Sequence, residues 1–344
     1  MQKKHFAVIV TIMICAIFFL SSQALAKTKI LKFAYPAPAK SDMGAAFEWW
    51  AKEVTKRSNG QVKVETYPMQ SLVKAPQALD AVKFGVAEMS MIDVLLALKR
   101  FPASSVFSLP TVAFPSTPAG SVAGGAAFLE MSKKYKSFQK EFKEFKLVMC
   151  IGFVGQSFVA KKPLQVPNDL KGMKIGATGI AARYVESCGG VPVKISPPEA
   201  YMSMERGVID SVLSNWVIIL SRQLFEVAKD KYEYNVSQFP MPVFMNLKTW
   251  NSLPDDVKKI IDELAPQVLR VRAGITAKIT GIAKKKWAGA GNTVGMPTPE
   301  QISLWEAKGK VFEEDWLKKM KAQGIDDAPA ILAELKQRRA AVMK

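Results

Sequence analysis

The chain has 344 residues, 49% of them hydrophobic, which is more apolar material than one core of ordinary size takes up, so two globular units are expected. Its formal charge is +18, yet the lysines are dispersed and interleaved with glutamates, as in KEVTKR and KKYKSFQKEFKEFK, so they read as solvated helix faces rather than a nucleic-acid footprint. The only histidine is His5, at the extreme N-terminus.

Residues 1–26 read as a cleavable secretory signal peptide: Gln2, Lys3 and Lys4 are basic or polar, residues 6–20 are apolar, and Ala24-Leu25-Ala26 is a small-x-small cleavage signature. The apolar run is shorter than the roughly 20 residues that span a bilayer. Cleavage would remove Lys3, Lys4, His5 and Cys15, lower the positive charge by two and place the mature chain, without histidine, in the periplasm. Triads built on histidine and His-ligated metal sites are thereby excluded, and no metal or cofactor is expected. Cys150 and Cys188 match no metal-ligand spacing; in an oxidising compartment they could form a disulfide.

In chain order, residues 30–35 predict a first strand that ends at Tyr35, before a turn containing Pro36 and Pro38. Phe47, Trp50, Ala51 and Val54 recur at the i, i+3, i+4, i+7 spacing of one helix face, and VKVETY at 62–67 alternates as a half-buried strand. This strand–helix–strand order recurs, which predicts an α/β architecture. ALDAVKFGVAEMS (78–90) and AYMSMERGVIDSV (200–212) share one plan. In each, an apolar-faced helix stops at a glycine suited to the left-handed C′ position, Gly85 or Gly207; Val86 or Val208 then opens a strand whose third residue is acidic, Glu88 or Asp210. Two similarly built α/β lobes follow from that match, and such pairs hold small ligands in the cleft between them.

The stretch KIGATGIAAR (174–183) reads as strand, glycine turn and first helical turn. It lacks the Gly-Lys-Ser/Thr end of a phosphate loop and the Gly-x-Gly-x-x-Gly spacing of a dinucleotide turn. What remains is a helix N-terminus behind a strand end, where free N–H groups favour an anionic or polar ligand group, or an ordinary tight connection. Further on, Ser252-Leu253-Pro254-Asp255 resembles a capping box opening a long helix with a kink at Pro266, and Thr298-Pro299-Glu300-Gln301 resembles a second box opening a helical tail.

Taken in order, SNGQVKVETYP, ALDAVKFGVAEMS, KPLQVPNDLKGMKI, CGGVPVKISPPEAYMSMERGVIDSV and MNLKTWNSLPDDVKKII resemble the solute-binding proteins of tripartite ATP-independent periplasmic (TRAP) transporters, the DctP family, from about Ile30 to about Gln337. The resemblance implies an α/β, two-lobed, type II-like periplasmic binding protein with a long helix crossing both lobes and a helical C-terminus. Residues 27–152 and 241–280 would form lobe I, and 153–240 and 281–344 lobe II. It also implies a monomer that closes around a small organic solute and delivers it to TRAP-type membrane permease subunits, with no cofactor, no nucleic-acid partner and no chemical conversion. A receptor of an ATP-driven importer would share the paired lobes; a secreted enzyme would have to work through carboxylates such as Glu88, Asp93, Glu199 and Asp210.

The family's usual clamp is missing. An arginine ordinarily follows the KI of the KGxKI segment and pairs with the ligand carboxylate as a bidentate fork; Gly176 stands there, and Gln156 matches a second family arginine. Two readings compete. Arg183 could supply the cation from the helix start. Alternatively, apolar and aromatic contacts could combine with hydrogen bonds from Gln156, Thr178 and Asn215, with Gly176 leaving room for a bulkier ligand. Tyr35, Phe153, Trp216, Phe239 and Phe244 are the aromatic candidates near the matched pocket, and Met91 and Asp93 match a strand end that faces the ligand in the family. Asp93 would meet a ligand amine or cap a helix. The solute expected is an organic acid, aromatic or branched.

Overall fold

The structure, a computed structural model, describes residues 28–151 and 155–343. The signal-peptide reading of residues 1–26 and the candidate Phe153 lie outside the described residues.

β1 (Lys29–Ala34) buries Leu31 and Phe33 completely. α1 (Asp42–Arg57) is opened by Ser41, whose Oγ accepts the Gly44 N–H at 3.1 Å. The predicted apolar stripe of α1 faces β1: the rings of Phe47 and Trp50 stand edge-on to Phe33 at 4.8 and 5.9 Å. β2 (Val62–Tyr67) lies parallel to β1. α2 (Ala78–Lys83) and β3 (Met89–Met91) complete the unit, and short 3₁₀ turns lead to α3 (Pro118–Lys134), α4 (Lys136–Phe142) and β4 (Phe145–Cys150). The chain then crosses to a second unit made of β5 (Ser157–Ala160), β6 (Lys174–Gly176), α5 (Gly179–Ser187), β7 (Val191–Val193), α6 (Ala200–Glu205), β8 (Ser211–Ser214), α7 (Trp216–Ser221) and β9 (Asp230–Tyr232). It returns through β10 (Pro242–Asn246) and α8 (Leu247–Asn251) to the 35-residue α9 (Asp255–Gly289), β11 (Thr293–Gly295), α10 (Pro299–Ala322) and α11 (Ala328–Met343).

These elements form two sheets, ordered β2-β1-β3-β10-β4 and β11-β9-β5-β8-β6-β7. Each sheet takes in one strand that has come through the crossing and runs against its neighbours: β10 is antiparallel to β3 and β4, and β5 to β8 and β9. The two crossing segments meet at an antiparallel bridge, Gln156 with Ser237. At about 1.5 Å per residue α9 is roughly 50 Å long, enough to pack against α1 in one lobe and α7 in the other. Pro266 does not end it.

The internal repeat is physical. Gly85 and Gly207 adopt φ of +75° and +73°, the left-handed conformation that stops each helix. Glu88 Oε2 accepts the Lys32 N–H of the adjacent strand, and Asp210 Oδ2 accepts the Lys174 N–H, both at 2.9 Å. The strand starts differ from expectation: β3 begins at Met89 and β8 at Ser211, while Val86 and Val208 are exposed. The acidic residue sits before each strand because its side chain, not its position in the ladder, engages the neighbour.

The two capping boxes part company. Thr298 and Gln301 cap α10 reciprocally. Ser252 instead donates to Thr249 O at 2.7 Å and closes α8, so α9, with Pro254 at its N-cap, has no side-chain cap. The helical tail is anchored by Trp305, fully buried among Phe158, Tyr184, Tyr232 and Tyr234, and α11 lies against α3. Cys150 and Cys188 are both buried and no disulfide joins them. Among the described residues no helix is long and apolar enough to cross a membrane.

Candidate functional site

Two adjoining cavities lie where the lobes meet, and Gln156, Ile218 and Phe239 wall both. The larger holds about 380 Å³. Ala37, Pro38, Ser41, Asp42 and Met43, at the start of α1, form its first-lobe side; Asn215 to Ile218, at the start of α7, form its second-lobe side; Phe239 and Met241 come from the returning crossing, and Arg272, Thr276 and Thr280 from the middle of α9. The smaller, about 200 Å³, is formed by Gly176 to Thr178, Ile195 to Pro197 and Val212 to Ser214, at the carboxyl ends of the adjacent parallel strands β6 and β8. Ligands collect at such strand ends because the backbone there has run out of partners.

The charged groups in the larger wall cancel. Arg272 is 4% and Asp42 6% exposed; Nε of the arginine donates to Asp42 Oδ2 at 3.1 Å, Nη2 lies 3.0 Å from the same oxygen as an ion pair, and Thr276 Oγ1 donates to it at 2.9 Å. Arg272 Nη1 also donates to Ile151 O at 2.6 Å, tying the middle of α9 to the first crossing segment. The rest of this wall is largely apolar, with Met43, Val217, Ile218, Phe239 and Met241.

Trp216 is 3% exposed and held rigidly. Its Nε1–H donates to Glu233 Oε1 at 2.7 Å, its ring meets Trp287 edge-on at 5.8 Å, and the ammonium groups of Lys231 and Lys284 lie 5.5 and 5.4 Å from its centroid. The indole N–H is thus committed, and what Trp216 offers the cavity is ring surface. Asn215 caps α7 by accepting the Ile218 N–H at 3.1 Å on Oδ1, which leaves its Nδ2 as a donor. Ser237 Oγ donates to Gln156 Oε1 at 3.2 Å, leaving the Gln156 amino group as a donor where the cavities join.

The residues singled out from sequence therefore separate. Gln156, Asn215, Trp216 and Phe239 line the larger cavity; Gly176 and Thr178 line the smaller. Tyr35, Met91, Asp93 and Arg183 line neither. Tyr35 belongs to the first-lobe core, its hydroxyl donating to Glu48 Oε1 at 2.7 Å, and Met91 is buried beside it. Asp93 accepts the Leu95 N–H at 2.9 Å and caps a 3₁₀ turn; burial raises its pKa. Phe244 packs among Phe101, Phe142 and Phe145. Arg183 points outward, 60% exposed at the side chain, paired with Asp315 at 2.9 Å over the ring of Phe312. The turn that carries it aims that face of α5 at α10, not at the cleft. The room expected at Gly176 is already taken: a Cβ there would lie 2.7 Å from Ile195 Cδ1 and 3.1 Å from Val212 Cγ2.

The carboxylates available for acid–base work serve the backbone. Beside the roles of Glu88, Asp93 and Asp210, Glu199 Oε2 accepts the Ser196 hydroxyl at 2.6 Å and the Ser196 N–H at 2.7 Å, which together hold its pKa down. Among the described residues no cluster of three or more His, Cys, Asp and Glu side chains could hold a metal.

Sequence reasoning missed Arg272, Asp42, Thr276 and Ser214. Arg272 had a signal: Leu264 and Ala265, Val268 and Leu269, then Arg272 and Ala273 occupy the buried face of α9, and an arginine in that series calls for a buried partner.

With this geometry in hand, comparison with known proteins gives the class. Residues 33–323 match the model of the DctP family, bacterial extracellular solute-binding protein, family 7, and the chain belongs to that family. A C4-dicarboxylate-binding periplasmic protein, DctP, of Rhodobacter capsulatus is 25% identical over 328 residues, 92% of this chain and 94% of that protein. A TRAP periplasmic solute-binding protein of Desulfovibrio salexigens, solved in an open form with the C-terminus of a neighbouring molecule in its ligand site, is 28% identical with a TM-score of 0.80 over 90% of this chain and 95% of that one. A TRAP solute-binding protein from an unidentified marine microbe, specific for aromatic acids and solved with 3-hydroxybenzoate, is 26% identical with a TM-score of 0.76 over 92% and 99%. The two-lobed α/β fold is that of a TRAP-type binding protein, and the relatives and neighbours are binding proteins rather than enzymes.

Proposed function

We propose that this chain is the periplasmic receptor of a TRAP-type secondary transporter, that it captures an aromatic or branched organic acid between its lobes, and that it hands the acid unchanged to the membrane permease. One observation carries the reading. The larger chamber is walled mainly by ring and aliphatic surface, its two charged side chains neutralise each other, and it shares a wall with a second chamber rimmed by hydrogen-bond donors. A flat apolar body suits the first and a carboxylate the second, in the usual division of a small-molecule site between apolar walls and a few oriented polar groups. The likeness to the marine protein solved with 3-hydroxybenzoate supports an aromatic solute.

In this reading the bridged crossing acts as the hinge. The crossing segments paired at Gln156 and Ser237 can bend while α9 keeps contact with both lobes, so closure brings the α1 and α7 walls together over the guest. Burial of the ligand against both lobes favours the closed form in proportion to the contacts made only there. The proposed division of the chain into 27–152 with 241–280 and 153–240 with 281–344 puts the cleft at that hinge. The test is mass spectrometry of solute retained through native purification, followed by a thermal-shift panel of aromatic, branched and C4-dicarboxylic acids. An aromatic or branched acid raising Tm more than succinate does supports the proposal; a response to succinate alone contradicts it.

A further inference from the structure

Building on the organic-acid reading above, we infer that the solute's carboxylate is held in the smaller chamber without a contacting cation, by the N–H groups of the first turn of α5 and the hydroxyl of Ser214. α5 has nine residues and no side-chain cap: Thr178, at its N-cap with extended backbone, makes no capping bond. The first N–H groups of a helix have no intrahelical acceptor, and their dipoles favour an anion at this end. Independent of the helix, Ser214 Oγ is buried without a hydrogen-bond partner, and the residue, 1% exposed, lines this same cavity. A buried hydroxyl left alone is costly, so one facing a ligand chamber is best explained by a ligand acceptor.

The topology brings these donors together. β6 and β8 are parallel neighbours with Gly176 opposite Val212, so Thr178 and Ser214 leave the sheet side by side, each two residues further on. The alternatives for a direct charge are otherwise engaged. Arg272 is bound to Asp42 and the Ile151 carbonyl, Arg183 is outside the cleft, and Ile195 fills the space at Gly176. A paired lysine charge stands two strands back, on β9. Fully buried Lys231 donates to Ser157 Oγ, and Ser157 is the register partner of Ser214; Glu233 offsets that charge at 3.4 Å. It adds potential without touching the guest. Thr178 Oγ1 and the Gln156 amino group are further donors at the rim.

Calorimetric titration with benzoate, 3-hydroxybenzoate, a branched aliphatic acid and benzamide tests this on the wild type, Ser214→Ala, Ser214→Asp and Arg183→Gln. Loss of one hydrogen bond to a carboxylate should weaken acid binding about tenfold or more in Ser214→Ala. Ser214→Asp should abolish it, and Arg183→Gln should leave it unchanged. Thermal unfolding of Ser214→Ala should match or exceed the wild type, because no partner is lost. Wild-type acid affinity in Ser214→Ala overturns the assignment while leaving the organic-acid reading intact; failure of every acid to bind the wild type overturns both.

Discussion

Replacing Arg272 by methionine should be among the most damaging single changes in the protein. The guanidinium is ion-paired with Asp42 Oδ2, donating one hydrogen bond to it from Nε at 3.1 Å with Nη2 3.0 Å away, and donates another to the Ile151 carbonyl at 2.6 Å; neither charged residue is more than 6% exposed. Arg272→Met keeps most of the aliphatic stem but leaves Asp42 with Thr276 Oγ1 as its hydrogen-bonded side-chain partner. An uncompensated buried charge of this kind costs about 3–5 kcal/mol, whereas replacing both members by neutral groups is far milder. Asp42→Asn/Arg272→Met should therefore recover most of the loss, a strong positive coupling in a double-mutant cycle. Ligand affinity should follow the same pattern. The single variant leaves a net negative charge in the chamber wall and should repel an acid; the double variant removes that charge and should bind better than the single. Urea unfolding and calorimetry on the four proteins read both quantities. An Arg272→Met protein within about 1 kcal/mol of the wild type would refute the buried-pair argument.

Trp216→Ala should weaken 3-hydroxybenzoate at least tenfold in calorimetry while affecting a small branched acid less, since it removes ring surface that Glu233 and Trp287 hold in place. Gly85→Ala and Gly207→Ala should each cost about 1–2 kcal/mol in denaturant unfolding, by similar amounts, because both residues hold the same left-handed conformation with open space around the Cα. Glu141, on α4, has its pKa raised from 4.5 to about 7 by burial, which outweighs the stabilising N–H donors of Ala103 and Ser104. With the folded value above the unfolded one, the carboxyl's contribution is complete below about pH 4.5 and is lost as pH rises through 7; at about 1.4 kcal/mol per pH unit this is at most about 3 kcal/mol. Unfolding free energies at pH 5 and pH 8 should differ less in Glu141→Gln than in the wild type, and equal differences would dismiss the effect.

How far the sequence carried depended on how local each signal was. The helix face of Phe47, Trp50, Ala51 and Val54, the glycine stops at Gly85 and Gly207 and the cap at Thr298 are set within one or two turns of chain, and the structure has them where periodicity and capping rules put them. Ser252 shows the limit: two helices competed for one hydroxyl, and the shorter α8 won it. Within the cleft, the strand ends carrying Gly176, Thr178 and Asn215 were legible, because parallel strands place their carboxyl ends together, and of the aromatic candidates Trp216 and Phe239 line it while Tyr35 and Phe244 are core. The electrostatics were not. Whether Arg183 or Arg272 meets the cleft depends on which face of each helix the tertiary packing turns inward, and the Asp42–Arg272 pair joins residues 230 positions apart. Gly176 misled for the same reason, since Ile195, which fills its space, comes from another segment.

Small-angle X-ray scattering of the free protein and of the protein saturated with its tightest-binding acid tests capture between two lobes most directly. The account predicts a smaller radius of gyration in the saturated protein, with the change tracking the fraction of chains occupied. An unchanged radius at full occupancy would contradict it.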